Sequence, residues 1–264
     1  MRDDPFFENV VRKTLYMEGQ PADFPIFYYD YRFIGTYFPV KTSRARNLLP
    51  HANFKPIEIW PGTVMIGITA FEYHDTSVGP YNEIAISIPT IFPPRFFFPL
   101  LSAIAMRRKG IMHIYIHHLP VTTDIALKGG IYFWNYPKFL SEITFQDKGD
   151  NLEVILKEKG EMILKLNSKK PLLNRSQKLE VHTYSLKDNV VMHGLIEAWA
   201  PKLGLMMKGT IAEIEFGEHP ISKELSALNF GKTAKGVVYA EGAMTKLHEP
   251  DQRWNVDTLA RIKA

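Results

Sequence analysis

An α+β fold dominated by antiparallel strands, closed or nearly closed into a barrel with a few short helices, is what the sequence predicts. Short β-rich segments outnumber helical ones. They do not alternate with helices, as a doubly wound parallel sheet requires. Residues 151–167 alternate apolar with polar on both sides of Gly160, the pattern of a hairpin with one wet face. A closed antiparallel barrel accommodates many short strands of this kind.

The elements follow in chain order. Phe6, Phe7, Val10, Val11 and Leu15 have the spacing of a short amphipathic helix within Phe6–Met17, ended by Gly19 and Pro21. Residues 1–20 are therefore expected as an N-terminal helical extension of one domain spanning 1–264. Phe24–Val40, rich in Phe, Tyr and Ile, predicts two strands broken near Asp30-Tyr31. Thr42–Pro50 predicts a short helix with a hydroxyl N-cap and a proline stop. Strands are expected at Ile57–Trp60, Thr63–His74, Tyr81–Pro89, Met112–His118, Asp124–Lys128, Ile131–Asn135 and Ser141–Lys148. The hairpin Asn151–Lys159 and Glu161–Asn167 comes next, then His182–Lys187, Gly209–Phe216 and Gly236–Glu241. Two further helices are expected at Phe96–Lys109 and Ile221–Leu228. The apolar run Phe96–Met106 is shorter than the ~18 residues of a membrane span. It suits a buried helix or a subunit interface, with an active-site lid as the sharper alternative.

Composition narrows the function classes. Hydrophobic residues make up 45% of the 264, ordinary for a chain that buries a core. There is no cysteine, which removes disulfides, thiolate catalysis and cysteine-ligated metals, and fits a reducing, cytoplasmic setting. No signal-peptide pattern follows Met1 and no apolar stretch is long enough for a membrane helix. Net charge is +4, with basic residues clustered only briefly, as at Arg107-Arg108-Lys109 and Lys169-Lys170. Such short runs are solvated turns or helix ends rather than a nucleic-acid stripe.

Three segments carry potential chemistry. In Tyr136-Pro137-Lys138-Phe139-Leu140, after Tyr132-Phe133-Trp134, a lysine lies among bulky apolar groups. Such surroundings desolvate the charged form, and a neutral amine attacks a ketone to give a Schiff base. The same five residues also fit a lysine that snorkels over aromatics into water. From Tyr81 the side chains alternate: Ile84, Ile86 and Ile88 on one face, Tyr81, Glu83, Ala85 and Ser87 on the other. Glu83 then either faces a polar cavity as a general acid–base or faces bulk water. His113, His117 and His118 share one strand, with His113 and His117 on one face but roughly 13 Å apart, too far for a common metal. Gly129-Gly130 is an isolated pair at a strand break, not a phosphate loop.

Taken together these segments resemble the acetoacetate decarboxylase family. The resemblance rests on His74-Asp75-Thr76-Ser77 followed by Tyr81-Asn82-Glu83 and Ile88-Pro89, on Gly130 followed by Tyr136-Pro137-Lys138, and on the tail Gly209–Leu228. It covers about Phe24 to Tyr239. It implies a cone-shaped antiparallel barrel whose interior holds the site, with Lys138 as the Schiff-base lysine and Glu83 as the acid–base carboxylate. It also implies a homo-oligomer, a small keto-acid substrate and no metal or organic cofactor. Arg32 is the nearest match to the family's carboxylate-binding arginine, and Trp134, Tyr136 and Phe139 are the expected substrate neighbours. Three departures stand out. The family's second lysine, directly after the first, is Phe139 here; its Arg-Glu pair after the glycine is Ile131-Tyr132; a further glutamate falls on Thr69. Without the second cation, desolvation by Phe133, Trp134, Phe139 or Leu140 is left to keep the amine neutral. Decarboxylation of acetoacetate or a related β-keto acid is the first expectation. A 2-oxo-acid aldolase or dehydratase using the same lysine is the second, and a non-catalytic barrel that binds an apolar or aromatic ligand is the third.

Overall fold

The computed structural model describes residues 2–92, 110–207, 211–229 and 231–259. A hairpin of β1 (Lys13–Met17) and β2 (Gln20–Phe24) precedes β3 (Ile26–Lys41), α1 (Thr42–Arg46), β4 (Lys55–Pro56) and β5 (Glu58–Trp60). Then come β6 (Thr63–Thr76), β7 (Tyr81–Ile91), β8 (Ile111–His118) and α2 (Asp124–Trp134). The strands β9 (Glu142–Lys148), β10 (Asn151–Glu158), β11 (Glu161–Lys169), β12 (Arg175–Lys187), β13 (Val190–Met206) and β14 (Ala212–Phe216) follow. The chain ends with α3 (Pro220–Ala227), β15 (Gly236–Leu247) and β16 (Gln252–Asn255).

Seven strands close a barrel in the order β3–β6–β7–β8–β12–β13–β15 and back to β3. Each pairing is antiparallel except β8 with β12. A separate sheet, β14–β11–β10–β9, covers one face of the wall. Between the two lies one hydrophobic core, in which Ile66, Ile68, Ile84 and Ile86 meet Leu152, Val154, Leu164 and Leu166. A second core, on the opposite side of the same strands, gathers Tyr28, Tyr31, Tyr73, Tyr81, Trp134 and Tyr136. Strand β7 feeds both, since successive side chains point to opposite faces: Ile84, Ile86 and Ile88 enter the first core, Tyr81 and Ala85 the second.

Several sequence expectations are corrected. The N-terminal segment is not helical beyond one 3-10 turn at Pro5–Phe7, and β1 and β2 form a hairpin instead. Glu18 and Gly19 both hold positive φ, 51° and 81°, the pair of left-handed residues a tight two-residue hairpin needs. Phe6 and Phe7 dock on Trp199 and Phe27 rather than forming a helical stripe. The break at Asp30-Tyr31 is a bulge within the continuous β3. The cap of α1 is Lys41, with no side-chain bond, and Thr42 is already helical.

The largest correction is Asp124–Lys128 and Ile131–Asn135, which are not strands but the single helix α2. Aromatic and β-branched residues suggested strands, yet Ala126, Gly130, Phe133 and Trp134 recur at helical spacing and are its buried residues. Asn135, at φ 53°, ends it in the left-handed region.

Strand β13 went unforeseen because glycines and Pro201 interrupt its pattern. A Cβ at Gly194 would meet the Thr183 and Tyr136 hydroxyls at 2.7 and 2.8 Å, so close packing selects glycine there. The ladder to β15 is interrupted between Trp199 and Lys202, where Pro201 has no N–H to give. The hairpin around Gly160 and the helix near Ile221 stand where expected. The helix expected at Phe96–Lys109 lies outside the described residues. Among the described residues no helix is long and apolar enough to cross a membrane.

Two measurements probe this framework. Ile68 is fully buried in the first core, and Ile68→Ala should cost about 2–5 kcal/mol in urea unfolding. At the parallel junction His113 stacks on His182 with centroids 4.4 Å apart. Burial, then the charges of His182 and His193, pushes His113 from 6.5 down to about 4. Between those values the unfolded chain takes a proton that the folded chain refuses, so this group's share of the stability is lost as pH falls through that window. The urea midpoint should drop between pH 6.5 and 4, and His113→Asn should flatten that drop.

Candidate active site

Three stretches of backbone bring Lys138 to Glu83. Residues 119–122, between β8 and α2, are sandwiched by β7 on one side and the Lys138 segment on the other. Ile84 N donates to Pro120 O at 3.1 Å and Thr122 N to Asn82 O at 3.1 Å. On the far side Leu119 N donates to Pro137 O at 3.1 Å and Val121 N to Phe139 O at 3.0 Å. Tyr136 N returns to Gly130 O at 3.1 Å, folding the segment back against α2.

This lattice places Lys138 Nζ 2.6 Å from Glu83 Oε2, with the two side chains only 6% and 10% exposed. The lysine chain lies directly on Gly130. A Cβ there would sit 2.5 Å from Lys138 Cδ and closer still to Cε. Gly130 is thus a contact surface inside a helix, where glycine otherwise costs ~1 kcal/mol.

Phenols enclose the pair. Tyr73 OH donates to the other Glu83 oxygen, Oε1, at 3.2 Å. Tyr28 and Tyr81 share a hydrogen bond of 2.8 Å, and Tyr31 bonds Thr245 Oγ1 at 2.7 Å. Ring centroids run 4.5 Å from Tyr28 to Tyr73, 4.7 Å from Tyr73 to Tyr81 and 5.2 Å from Tyr31 to Tyr73. Lys138 Nζ stands 5.9 Å from the Tyr81 ring centroid. Burial, and then the Glu83 charge, pushes Tyr73 well above the usual phenol range. Burial, together with the Glu83 charge, does the same for Tyr28, Tyr81 and Tyr136. Burial pushes Tyr31 up to about 12. All five stay neutral phenols, offering O–H groups without a charge of their own.

The His74–Ser77 motif shapes the turn ahead of Glu83. Thr76 Oγ1 accepts from Val78 N and donates to Gly79 O, at 3.0 and 2.6 Å. Ser77 Oγ accepts from Phe27 N at 3.1 Å. Asp75 forms a bidentate pair with Arg2 at the surface.

The other expected site residues part company. Tyr136 lies in the phenol-lined core, bonded to Thr183 at 2.6 Å and stacked on Trp134 with centroids 5.7 Å apart. Trp134 is buried there too, and its Nε1 has no hydrogen-bond partner. Phe139 turns the other way, packing on the first core with His118 6.5 Å off. Leu140 is exposed. The surroundings of the Lys138–Glu83 pair therefore come from Gly130, Tyr73 and Tyr81 rather than from the residues following Lys138. Arg32 follows Tyr31 and points to the opposite face, where it binds Glu72 and Asp147, the latter at 2.7 Å. Tyr28, Tyr31 and Tyr73 were missed from sequence, although each belongs to a strand whose aromatics recur on one face. His117 and His118 bond Glu224, apart from His113, which bonds Tyr184 at 3.0 Å.

A family model described as acetoacetate decarboxylase matches residues 12–253. Among solved structures, the acetoacetate decarboxylase of Legionella pneumophila subsp. pneumophila str. Philadelphia 1 is 14% identical with a TM-score of 0.58, covering 86% of each chain. An acetoacetate decarboxylase-like enzyme from Sphingomonas wittichii RW1 is 16% identical with a TM-score of 0.52, covering 94% of this chain and 98% of its own. The enduracididine biosynthesis enzyme MppR, solved with pyruvate, is 12% identical with a TM-score of 0.55, covering 84% and 87%. These likenesses concern the fold. No curated protein matches.

Gly130→Ala should leave the barrel folded and push Lys138 away from Glu83. A crystal structure of the variant that kept Nζ within 3 Å or so of the carboxylate, an ordinary hydrogen-bond distance, would contradict the assigned role of that glycine.

Proposed function

The chain belongs to the acetoacetate decarboxylase family, and on that premise we propose that it is an enzyme that forms a Schiff base between Lys138 and a small keto acid. One observation carries the reading: an amine and a carboxylate 2.6 Å apart, nearly sealed from water among neutral phenols. Removing one partner of a buried ion pair costs about 3–5 kcal/mol, whereas replacing both with apolar groups is often neutral or stabilising. A pair of this kind is therefore better explained by chemistry than by stability.

The geometry supports the following steps. Glu83 Oε2 takes the proton that the Lys138 ammonium must shed, leaving a lone pair for the keto carbon. The carbinolamine loses its oxygen as water, using the proton held by Glu83, and an iminium remains. Electrons from the bond to the β-carboxylate flow into that iminium, carbon dioxide departs and an enamine results. A proton drawn from solvent goes to carbon and restores the iminium, and water hydrolyses it to product and the lysine ammonium. Lysine itself supplies the electron sink. The tyrosine hydroxyls are donors for the substrate's oxygens, and the unpaired Trp134 Nε1 is a further donor awaiting an acceptor.

A second reading, aldol or dehydratase chemistry on a 2-oxo acid through the same Schiff base, is favoured by one observation. Phe139 stands where the family's decarboxylation apparatus has its second lysine, and it faces away. Arg32 is committed to Glu72 and Asp147, which leaves the substrate carboxylate to other groups in either reading.

Borohydride reduction in the presence of acetoacetate, and separately pyruvate, should fix an adduct on Lys138, located by peptide mass spectrometry. Product analysis then assigns decarboxylation or aldol chemistry. Glu83→Gln should slow adduct formation by about 10²–10⁴-fold. A folded Lys138→Met, Glu83→Gln double variant should form none. If no keto acid leaves an adduct, or the adduct persists in that double variant, the Schiff-base reading fails and ligand binding without catalysis takes its place.

A further inference from the structure

Strand β8 ends in two consecutive histidines, and consecutive residues of a regular strand face opposite ways. Here they do not. Pairing with β7 steps from Ser87 opposite Ile116 to Ile86 opposite His118. Two residues advance on β8 for one on β7, the count of a bulge, and the extra residue is His117. His118 thereby joins the face of Ile86, the face that Tyr115 opposite Ile88 also occupies. Both imidazoles then reach the same acceptor on α3. His117 Nε2 lies 2.6 Å from Glu224 Oε1, and His118 Nε2 lies 2.9 Å from Glu224 Oε2.

We propose that His117, His118 and Glu224 form a binding site for a divalent first-row metal ion of the zinc type, joining barrel strand β8 to helix α3. Their ligand atoms all lie within 4.8 Å of one another. The side chains are half-buried, at 12%, 20% and 35% exposure, so a cation would enter without unfolding the site. Metal–nitrogen and metal–oxygen bonds of ~2.0–2.2 Å place tetrahedral ligands roughly 3.3–3.5 Å apart. To admit the ion at such bond lengths the carboxylate oxygens withdraw by roughly 0.4–0.9 Å from the two imidazoles, while ligand atoms as much as 4.8 Å apart draw together. Two imidazoles and one carboxylate, with no thiolate, suit zinc, cobalt, nickel or ferrous ions and disfavour magnesium and calcium. Three protein ligands leave a position for water.

The elements carrying these ligands are firmly held. Ser222 Oγ on α3 donates to Ile163 O at 2.6 Å, and Leu225 is fully buried. Beyond His118, Leu119 N bonds Pro137 O, so the site sits one strand-end away from the Lys138 segment. The proposal does not depend on Schiff-base chemistry.

The test uses the full chain, stripped with chelator and titrated with cobalt(II) alone. One equivalent should bind, with visible d–d absorption that zinc(II) abolishes, and the thermal midpoint should rise with added metal. Glu224→Gln and His118→Asn should each weaken cobalt binding at least tenfold, while His113→Asn leaves it unchanged. Histidine NMR signals of the unmutated protein give a reading independent of variant folding: His117 and His118 should be broadened by bound cobalt ahead of His182 and His193. No absorption at millimolar cobalt would overturn the proposal. So would undiminished binding in the folded variants, or broadening centred on His182 and His193; the triad would then be two imidazole–carboxylate hydrogen bonds and nothing more.

Discussion

Taking a lysine ammonium and a carboxylate out of water costs several kcal/mol per ion, and their attraction recovers this only where geometry is good and the remaining lone pairs are satisfied. At Lys138 and Glu83 the geometry is set by backbone rather than by side chains. Residues 119–122 bond β7 on one flank and residues 137–139 on the other. The second carboxylate oxygen is met by Tyr73. The helix turn at Asn135, the glycine at 130 and the register of β6 with β7 are each conditions for that single contact.

Closure of the barrel is what makes the surroundings dry. Each of the seven strands hydrogen-bonds on both sides, so the wall has no unpaired edge along its circuit. The covering sheet β9–β10–β11–β14 buries one face of the wall under aliphatic side chains, leaving the aromatic face to the site. Phenols suit that role because they are bulky enough to exclude water and still carry a hydroxyl. Neutral phenols add no competing anion beside Glu83.

Much of this was legible in the sequence. The two-residue alternation from Tyr81 to Ile88 correctly set Glu83 apart from the isoleucines, because period-two patterning survives wherever one face is aliphatic. The motif around Lys138 named the residue but not its surroundings. Phe139 and Leu140 adjoin it in sequence and turn away, whereas Gly130, Tyr73 and Tyr81 come from other elements. Arg32 lies on the face opposite Tyr31, bonded to Glu72 and Asp147, because the bulge at Asp30 sets which neighbours in β3 face the phenols. The helix α2 was read as strands because local composition favoured β, while burial at helical spacing decided otherwise. Only the pairing of β7 with β8 shows that His117 and His118 share a side, and residue spacing carries no trace of a bulge.

The wall between the two cores is one residue thick along β7. Tyr81, Glu83 and Ala85 face the phenol-lined core, and Ile84, Ile86 and Ile88 the aliphatic one. Inserting or deleting one residue would exchange the two sets, burying a carboxylate among isoleucines and exposing isoleucine to a ligand. Lineages descending from such a chain can therefore explore new ligands by substitution at alternate positions, but not by changing strand length. Length changes are tolerated in the connections, where no face of the wall is exchanged.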